Sequence, residues 1–206
     1  MARIRFGSGI GFSIVAAVAL LLLSPVLLVL SLAVLVSLGR PILFRQRRIG
    51  RDGRTFEMLK FRSMRPSAAQ PAELRVVSAD VLGPGGVEGA EDRRTRVGAL
   101  LRRSSLDELP QLLNVLKGEM SIVGPRPERP EYVSEFQQTV YRYGDRHRVN
   151  SGITGWAQVH GLRGKTSLAD RAEWDNFYIE NFSLWFDVKI ALKTVGAVFG
   201  SFAWVE

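Results

Sequence analysis

Residues Leu20–Leu32 read LLLLSPVLLVLSL, and in them Ser24-Pro25 interrupts a nearly unbroken row of Leu and Val. Proline inside a helix removes a backbone hydrogen bond and collides with the preceding turn, at about 3 kcal/mol, so the break needs a reason. No charged residue occurs from Phe6 to Gly39, and that span is longer than the roughly 20 apolar residues a transmembrane helix requires. It also outruns the apolar core of a signal peptide, so it reads as a retained membrane element and not as a cleaved leader. Arg3 and Arg5 precede it, and Arg40, Arg45, Arg47, Arg48 and Arg51 follow it. The positive-inside rule therefore pulls both ends toward the cytoplasm. Two architectures remain open: a single spanning helix with an ordinary proline kink, or a re-entrant helix that turns at Ser24-Pro25 and leaves the bilayer on the side it entered. In the second, the Ser24 hydroxyl can bond a carbonyl that the proline frees.

Working outward, 206 residues read as one ordinary domain with an appended element rather than as two full globular domains. The formal charge of +8 points to polyanionic partners such as lipid headgroups, phosphorylated substrates or nucleic acid. With no cysteine, disulfide frameworks and thiolate metal sites are excluded. After the apolar run, PILFRQRRIGRDGRTFEMLKFRSM predicts strands joined by a hairpin turn at Asp52-Gly53, lying at the membrane surface. Residues 66–97 are rich in Pro, Gly, Ala and charge and read as a long, poorly ordered excursion. Helical spacing returns from Leu109 to Leu116 and stops at Gly118. A second helix is expected over Glu131–Tyr143, with Val133, Phe136, Val140 and Tyr141 on one side. A Gly-rich turn and strand region then leads to a third helix over about Ser167–Asn181. The tail SLWFDVKIALKTVGAVFGSFAW suits a helix at a membrane interface.

The sharpest local feature is SSLDELPQL. Ser105 and Glu108 stand three apart before an apolar helical run, as in a capping box, in which Ser105 would cap the helix and Glu108 would reach back to it. The same residues carry a chemical reading. An Asp in a first helical turn is kept ionised by the helix dipole and can attack phosphorus as a nucleophile. On that reading Asp107 is the nucleophile, and Glu108 binds a Mg2+ that neutralises diphosphate charge. Glu108 cannot serve both readings fully. In GPRPERP, Arg126 sits between two prolines that stiffen its backbone, so its guanidinium can clamp a phosphate; taken alone, the motif reads rather as a surface loop with an exposed Arg. Lys60, Arg62, Arg146, Arg148, Arg163 and Lys165 are candidates for phosphate or headgroup contact. His147 and His160 lack metal-ligand spacing and read as structural.

Taken together, these motifs resemble the bacterial sugar transferase family, the monotopic phosphoglycosyl transferases. The resemblance covers nearly the whole chain: the Ser24-Pro25 break, KFRSM at Lys60–Met64, SLDELPQLLNVLKGEMSIVGPRP, GITGWAQVHG and YIENFSLWFDVKI. It implies an α+β, mainly helical fold, with residues 1–39 as a re-entrant membrane helix and residues 40–206 as a catalytic domain on the cytoplasmic face of the bacterial inner membrane. Such proteins move a sugar-1-phosphate from a UDP-sugar to polyprenyl (undecaprenyl) phosphate with release of UMP, as a first membrane step of exopolysaccharide or other glycoconjugate assembly. Carried over by position, Asp107 matches the nucleophile that forms a covalent phosphosugar intermediate and Glu108 its Mg2+-binding neighbour. Arg126 matches the arginine of the Pro-Arg-Pro motif, and Lys60 the lysine of the KF motif, a substrate-phosphate contact. The region from His147 to Trp185 looks most like members that transfer glucose or galactose phosphate. Expected partners are the UDP-sugar, polyprenyl phosphate and membrane lipids; no nucleic acid is expected, and a homodimer is compatible with the sequence. Asn150-Ser151 departs from the basic residue and proline common in the family, which puts the shape of that loop in question. The competing function is a membrane-anchored basic binding module without catalysis, for which the Asp107 carboxylate would be dispensable.

Overall fold

The computed structural model describes residues 9–65, 93–162 and 166–203. The apolar run forms two helices, α1 (Gly9–Leu22) and α2 (Ser24–Leu38). Pro25 falls in the first turn of α2, where a missing N–H costs little. Its absent N–H would have bonded the Leu21 carbonyl, and the Ser24 hydroxyl donates to that oxygen instead at 2.8 Å. Among the described residues no single helix is long and apolar enough to cross a membrane; α1 and α2 meet that test only as a pair, bent by 66°.

The pair is anchored at both ends of the bend. From α1, Phe12, Ala16, Ala19 and Leu20 pack on Met58, Leu112, Val115 and Met120. From α2, Leu27, Leu30, Val34 and Leu38 pack on Phe61 and Leu101. The opposite faces leave Ile14, Val15, Val18, Leu21 and Leu22, then Leu28, Val29, Leu32 and Val36, exposed.

The basic segment is the expected hairpin. Strands β1 (Leu43–Ile49) and β2 (Thr55–Phe61) pair antiparallel from Leu43↔Phe61 to Ile49↔Thr55. Asp52 and Gly53 both take positive φ, 55° and 74°, as a tight Asp-Gly turn requires. The outer edge of β2 would leave backbone groups unpaired, and the fully buried Asn114 serves them. Its Oδ1 accepts from the Leu59 N–H at 3.0 Å, and its Nδ2 donates to the Glu57 carbonyl at 2.7 Å.

Most of the expected excursion, residues 66–92, lies outside the described residues. Its C-terminal boundary is corrected, because Arg94 bridges antiparallel to Met64 and the Thr95 hydroxyl caps α3 (Arg96–Arg103). A Cβ on Gly98 would stand 1.9 Å from the Ser63 carbonyl oxygen, so only glycine lets α3 close on the strand's end. A three-residue 3-10 turn, Leu106–Glu108, leads into α4 (Gln111–Leu116), and Gly118 at φ 76° ends it. Strand β3 (Ser121–Val123) pairs in parallel with β4 (Gly152–Thr154). Between them lie α5 (Pro130–Thr139) and a 3-10 turn over Tyr143–Arg148. The expected Glu131–Tyr143 helix is therefore shorter at its end. Val140 is extended, and Tyr141, expected on the apolar side, is 88% exposed. The short α6 (Trp156–Val159) precedes α7 (Leu168–Glu180), which Ser167 caps, and α8 (Leu184–Ala203). Leu184, Trp185, Val188, Leu192 and Val195 of α8 are exposed, while Ile190 faces the core.

The loop that departs from the family pattern is closed by other means. Ser151 is buried, its hydroxyl donates to the Ile49 carbonyl at 3.4 Å, and its own carbonyl accepts from the Ser121 N–H at 2.8 Å.

Candidate active site

The chain reverses between α3 and the Leu106–Glu108 turn because Ser105 adopts a left-handed conformation, φ 56° and ψ 15°. That overturns the capping-box reading: the Ser105 side chain makes no cap hydrogen bond, its N–H donates to the Arg102 carbonyl, and the Glu108 carboxylate is bonded elsewhere. A three-residue 3-10 turn also lacks the length for a helix dipole, so dipole stabilisation of Asp107 is corrected as well.

Glu108 instead receives two cations on one oxygen. Lys60 Nζ, from β2, donates to Glu108 Oε1 at 2.6 Å, and Arg126 Nη2 donates to the same oxygen at 3.0 Å. Burial alone would raise the Glu108 pKa, but Arg126 and Lys60 outweigh it and hold the carboxyl well below the usual range. Burial lowers the Lys60 pKa, with help from neighbouring Arg126, and Glu108 only partly restores it. Glu108 in turn raises that of Arg126. The Lys60 and Glu108 side chains are 16% and 13% exposed, and Arg126 is 35% exposed.

Asp107 is different. It is buried, yet no hydrogen bond from a described residue reaches its carboxylate. Burial pushes its pKa up, while Lys60 pulls it down and Glu108 adds to the rise. Two adjacent carboxylates are thus split by environment, one locked as an anion and one left free of partners. Divergent environments for neighbouring acids are the usual mark of divided chemical roles.

A bound Mg2+ would have to be held by the carboxylate oxygens left open here. Among the described residues no group of three or more His, Asp or Glu side chains gathers to hold a metal. Mg2+ ordinarily takes only one or two protein carboxylates and completes its shell with substrate oxygens and water. Glu108 Oε2, which receives no hydrogen bond from the described residues, and the Asp107 carboxylate meet that requirement.

Four expected site residues, Lys60, Asp107, Glu108 and Arg126, therefore come together from positions far apart in the chain. The other candidates do not join them. Arg62 binds the Arg40 and Met64 carbonyls. Arg148 faces Asp145 and Glu180 at the surface. Arg163 and Lys165 lie outside the described residues. Arg146, read as a surface phosphate contact, is buried against Asp175, which corrects that expectation. His147 is held neutral, its pKa pushed down to about 4 by burial and then by Arg146. His160 packs edge-on against Trp156 and at a tilt against Trp174, at centroid distances of 4.0 and 4.5 Å. Sequence reasoning missed Asn114, which fixes the strand that carries Lys60, and Arg48, whose Nη1 holds the Pro127 carbonyl at 3.1 Å. No local pattern marks either residue.

A family model described as bacterial sugar transferase matches residues 10–201. The chain belongs to the bacterial sugar transferase family. It is 44% identical over 186 residues to the UDP-glucose:undecaprenyl-phosphate glucose-1-phosphate transferase of Escherichia coli (strain K12), an alignment covering 88% of this chain and 38% of that protein. It is 42% identical to the protein of the same name from Xanthomonas campestris pv. campestris, over 91% of this chain and 37% of that protein. A UDP-N-acetylgalactosamine-undecaprenyl-phosphate N-acetylgalactosaminephosphotransferase of Aeromonas hydrophila is 40% identical, over 93% of this chain and 44% of its own length. The chain spans less than half the length of these three curated relatives.

Proposed function

We propose that this sugar transferase moves a hexose-1-phosphate, of the glucose or galactose type, from a UDP-sugar to undecaprenyl phosphate, releasing UMP. The observation that carries the reading is the split pair: Asp107, buried and without a hydrogen-bond partner among the described residues, beside a Glu108 held by Lys60 and Arg126. Asp107 Oδ attacks the phosphorus bonded to the sugar. The bond from that phosphorus to the bridging oxygen breaks, and UMP leaves with the electron pair. An oxygen of undecaprenyl phosphate then attacks the same phosphorus, releasing the Asp107 carboxylate and giving the lipid diphosphate sugar. Phosphoryl transfer asks mainly for positioning and charge neutralisation. Lys60 and Arg126 supply both on the phosphate oxygens, from donors not spent on Glu108. Mg2+, held by Glu108, would neutralise diphosphate charge when bound.

The bent α1–α2 pair is proposed as a re-entrant element, residues 1–39, seated in the cytoplasmic leaflet of the bacterial inner membrane, with residues 40–206 as the catalytic domain on that face. Support comes from the apolar residues exposed on both helices, the arginines on both flanks and the Ser24 bond that serves the carbonyl at the bend. The exposed apolar face of α8, with Lys189 and Lys193 beside it, suits the same membrane surface.

The deciding experiment is intact-mass spectrometry of the detergent-purified protein after incubation with Mg2+ and a panel of UDP-sugars without lipid acceptor. A sugar-phosphate adduct, absent in Asp107→Asn, establishes the covalent step and names the donor. No adduct, together with no UMP release on adding undecaprenyl phosphate, sinks the reading in favour of a binding module.

A further inference from the structure

The loop that presents Arg126 is held at four consecutive carbonyls, each by a different group. Gly152 N–H donates to the Pro125 oxygen at 2.9 Å, and Arg146 Nη2 to the Arg126 oxygen at 2.9 Å. Arg48 Nη1 donates to the Pro127 oxygen at 3.1 Å, and Ile49 N–H to the Glu128 oxygen at 2.9 Å. Two of these donors are backbone and two are arginine side chains. Arg146 holds the carbonyl of the very residue whose guanidinium meets Glu108.

Arg146 is suited to that task by its own anchoring. Its side chain is 2% exposed, and its Nε and Nη2 both donate to Asp175 Oδ2, at 3.1 and 2.6 Å. Its Nη1 donates to the Tyr143 hydroxyl at 2.9 Å. Nη2 carries two hydrogens: one serves Asp175 and the other the Arg126 carbonyl. A rigid planar fork with donors in fixed directions does this, and the single rotating ammonium of a lysine cannot reach all three acceptors. Asp175 neutralises the buried charge without help from the loop, so the bond to Arg126 is not needed to keep Arg146 satisfied as an ion.

We propose that Arg146, anchored by Asp175, is a positioning residue for Arg126. It fixes the backbone between Pro125 and Pro127 so that the Arg126 guanidinium is aimed at the phosphate site. This rests on the reading that Arg126 contacts substrate phosphate. Displacement of a positioned group by about 1 Å can cost on the order of 100-fold in rate, which sets the scale of the effect.

The test is a double-mutant cycle in the full chain. It reads kcat/KM for UMP release with undecaprenyl phosphate and the UDP-sugar that labels the wild-type protein by mass. Arg146→Lys keeps the charge on Asp175 and loses the fork; kcat/KM falls by roughly 10- to 100-fold. In the Arg126→Ala background the same change costs less than about 2-fold, because its target is gone. Tyr143→Phe, which removes one Arg146 bond but spares the loop, lowers the melting temperature while kcat/KM stays within about 3-fold of wild type. Equal losses from Arg146→Lys in both backgrounds, or wild-type activity in Arg146→Lys, overturn the proposal. If Arg146→Lys does not fold, Asp175→Glu shifts the same guanidinium by one methylene and enters the same cycle: a loss confined to the Arg126 background supports the proposal, and equal losses in both overturn it. Wild-type activity in Arg126→Ala instead removes the phosphate-contact role, and the positioning role with it. That outcome is distinct from any failure confined to Arg146.

Discussion

Two clusters of oppositely charged side chains among the described residues differ in how completely their polar atoms are used. In the Arg146–Asp175 pair both side chains are almost wholly enclosed, at 2% and 3% exposure, and every nitrogen of the guanidinium donates to an oxygen of the protein. In the Lys60–Glu108–Arg126 cluster two cations share one carboxylate oxygen, leaving spare donors on both cations, a second oxygen on Glu108 and an unbonded Asp107. The first cluster is saturated and the second keeps unused donors and acceptors. Saturated buried pairs hold a fold in one arrangement, whereas spare, partly desolvated charge is how a site prepares for a phosphorylated ligand. Mutation at the first cluster should therefore weigh more heavily on stability, and mutation at the second more heavily on activity.

The largest effect expected is on activity at Asp107. On the proposed mechanism Asp107→Asn removes the nucleophile, and losses on the order of 10^4- to 10^6-fold in kcat are usual for a group of that kind. Its stability should move the other way. The folded pKa lies above the ordinary value, so the folded state favours the protonated form; that stability is present at low pH and lost as pH rises through the folded pKa. At neutral pH the buried carboxylate opposes folding, and Asp107→Asn should raise the melting temperature by about 2–4 °C, which calorimetry reads. A melting temperature that drops would mean the carboxylate is part of the scaffold.

Next in size is a stability effect at the saturated pair. Asp175→Asn strands a buried guanidinium and should cost about 3–5 kcal/mol in denaturant unfolding. Glu108→Gln should cost less, because Lys60 and Arg126 both reach solvent, while lowering kcat/KM by on the order of 10^2- to 10^3-fold. If both substitutions cost the same stability, the distinction between the clusters fails.

The contrast between the clusters also bears on how far the sequence can be read. The bend at Pro25 and the turn at Asp52-Gly53 are legible because proline and Asp-Gly act on their own backbone. Asp107, Glu108 and Arg126 are legible as motifs, but their arrangement is not. Glu108 meets partners 48 and 18 residues away, and nothing in SSLDELPQL states which way its side chain turns. The capping-box pattern fails on one left-handed residue, Ser105. Arg146 reads as a surface charge because the carboxylate that lets it be buried is 29 residues distant. Local rules find residues that shape their own turn, and tertiary packing decides the rest.

A smaller effect should appear in the pH profile. If Asp107 is the nucleophile, the acidic limb of single-turnover adduct formation should lie above the titration range of an ordinary Asp, since the carboxylate would have to be ionised to attack and burial raises its pKa. Lys60 is the strongest influence pulling that pKa down. Lys60→Met should therefore move the limb to higher pH, whatever it does to the maximum rate. A limb that stays put would mean that another group controls it.

The smallest expected effect lies at the bend, and its size depends on the medium. Ser24→Ala removes the bond to the Leu21 carbonyl, which Pro25 deprives of its usual N–H donor. Where water reaches the bend, the carbonyl is hydrated and the loss should be about 1 kcal/mol or less. In a bilayer no water replaces the hydroxyl, and an unsatisfied carbonyl costs several kcal/mol. Unfolding of Ser24→Ala should thus differ little from wild type in detergent and more in lipid nanodiscs; equal effects in both would place the bend in water. Because the chain has no cysteine, Arg3→Cys supplies a single thiol whose reaction with an impermeant maleimide in inside-out vesicles reports the side of the N-terminus. With Ser24→Ala the side should not change. With Pro25→Ala, which supplies the missing N–H, a straight span becomes available and part of the population should lose labelling. Labelling that survives both changes would assign the topology to the arginines on the two flanks, with the break acting only on helix geometry.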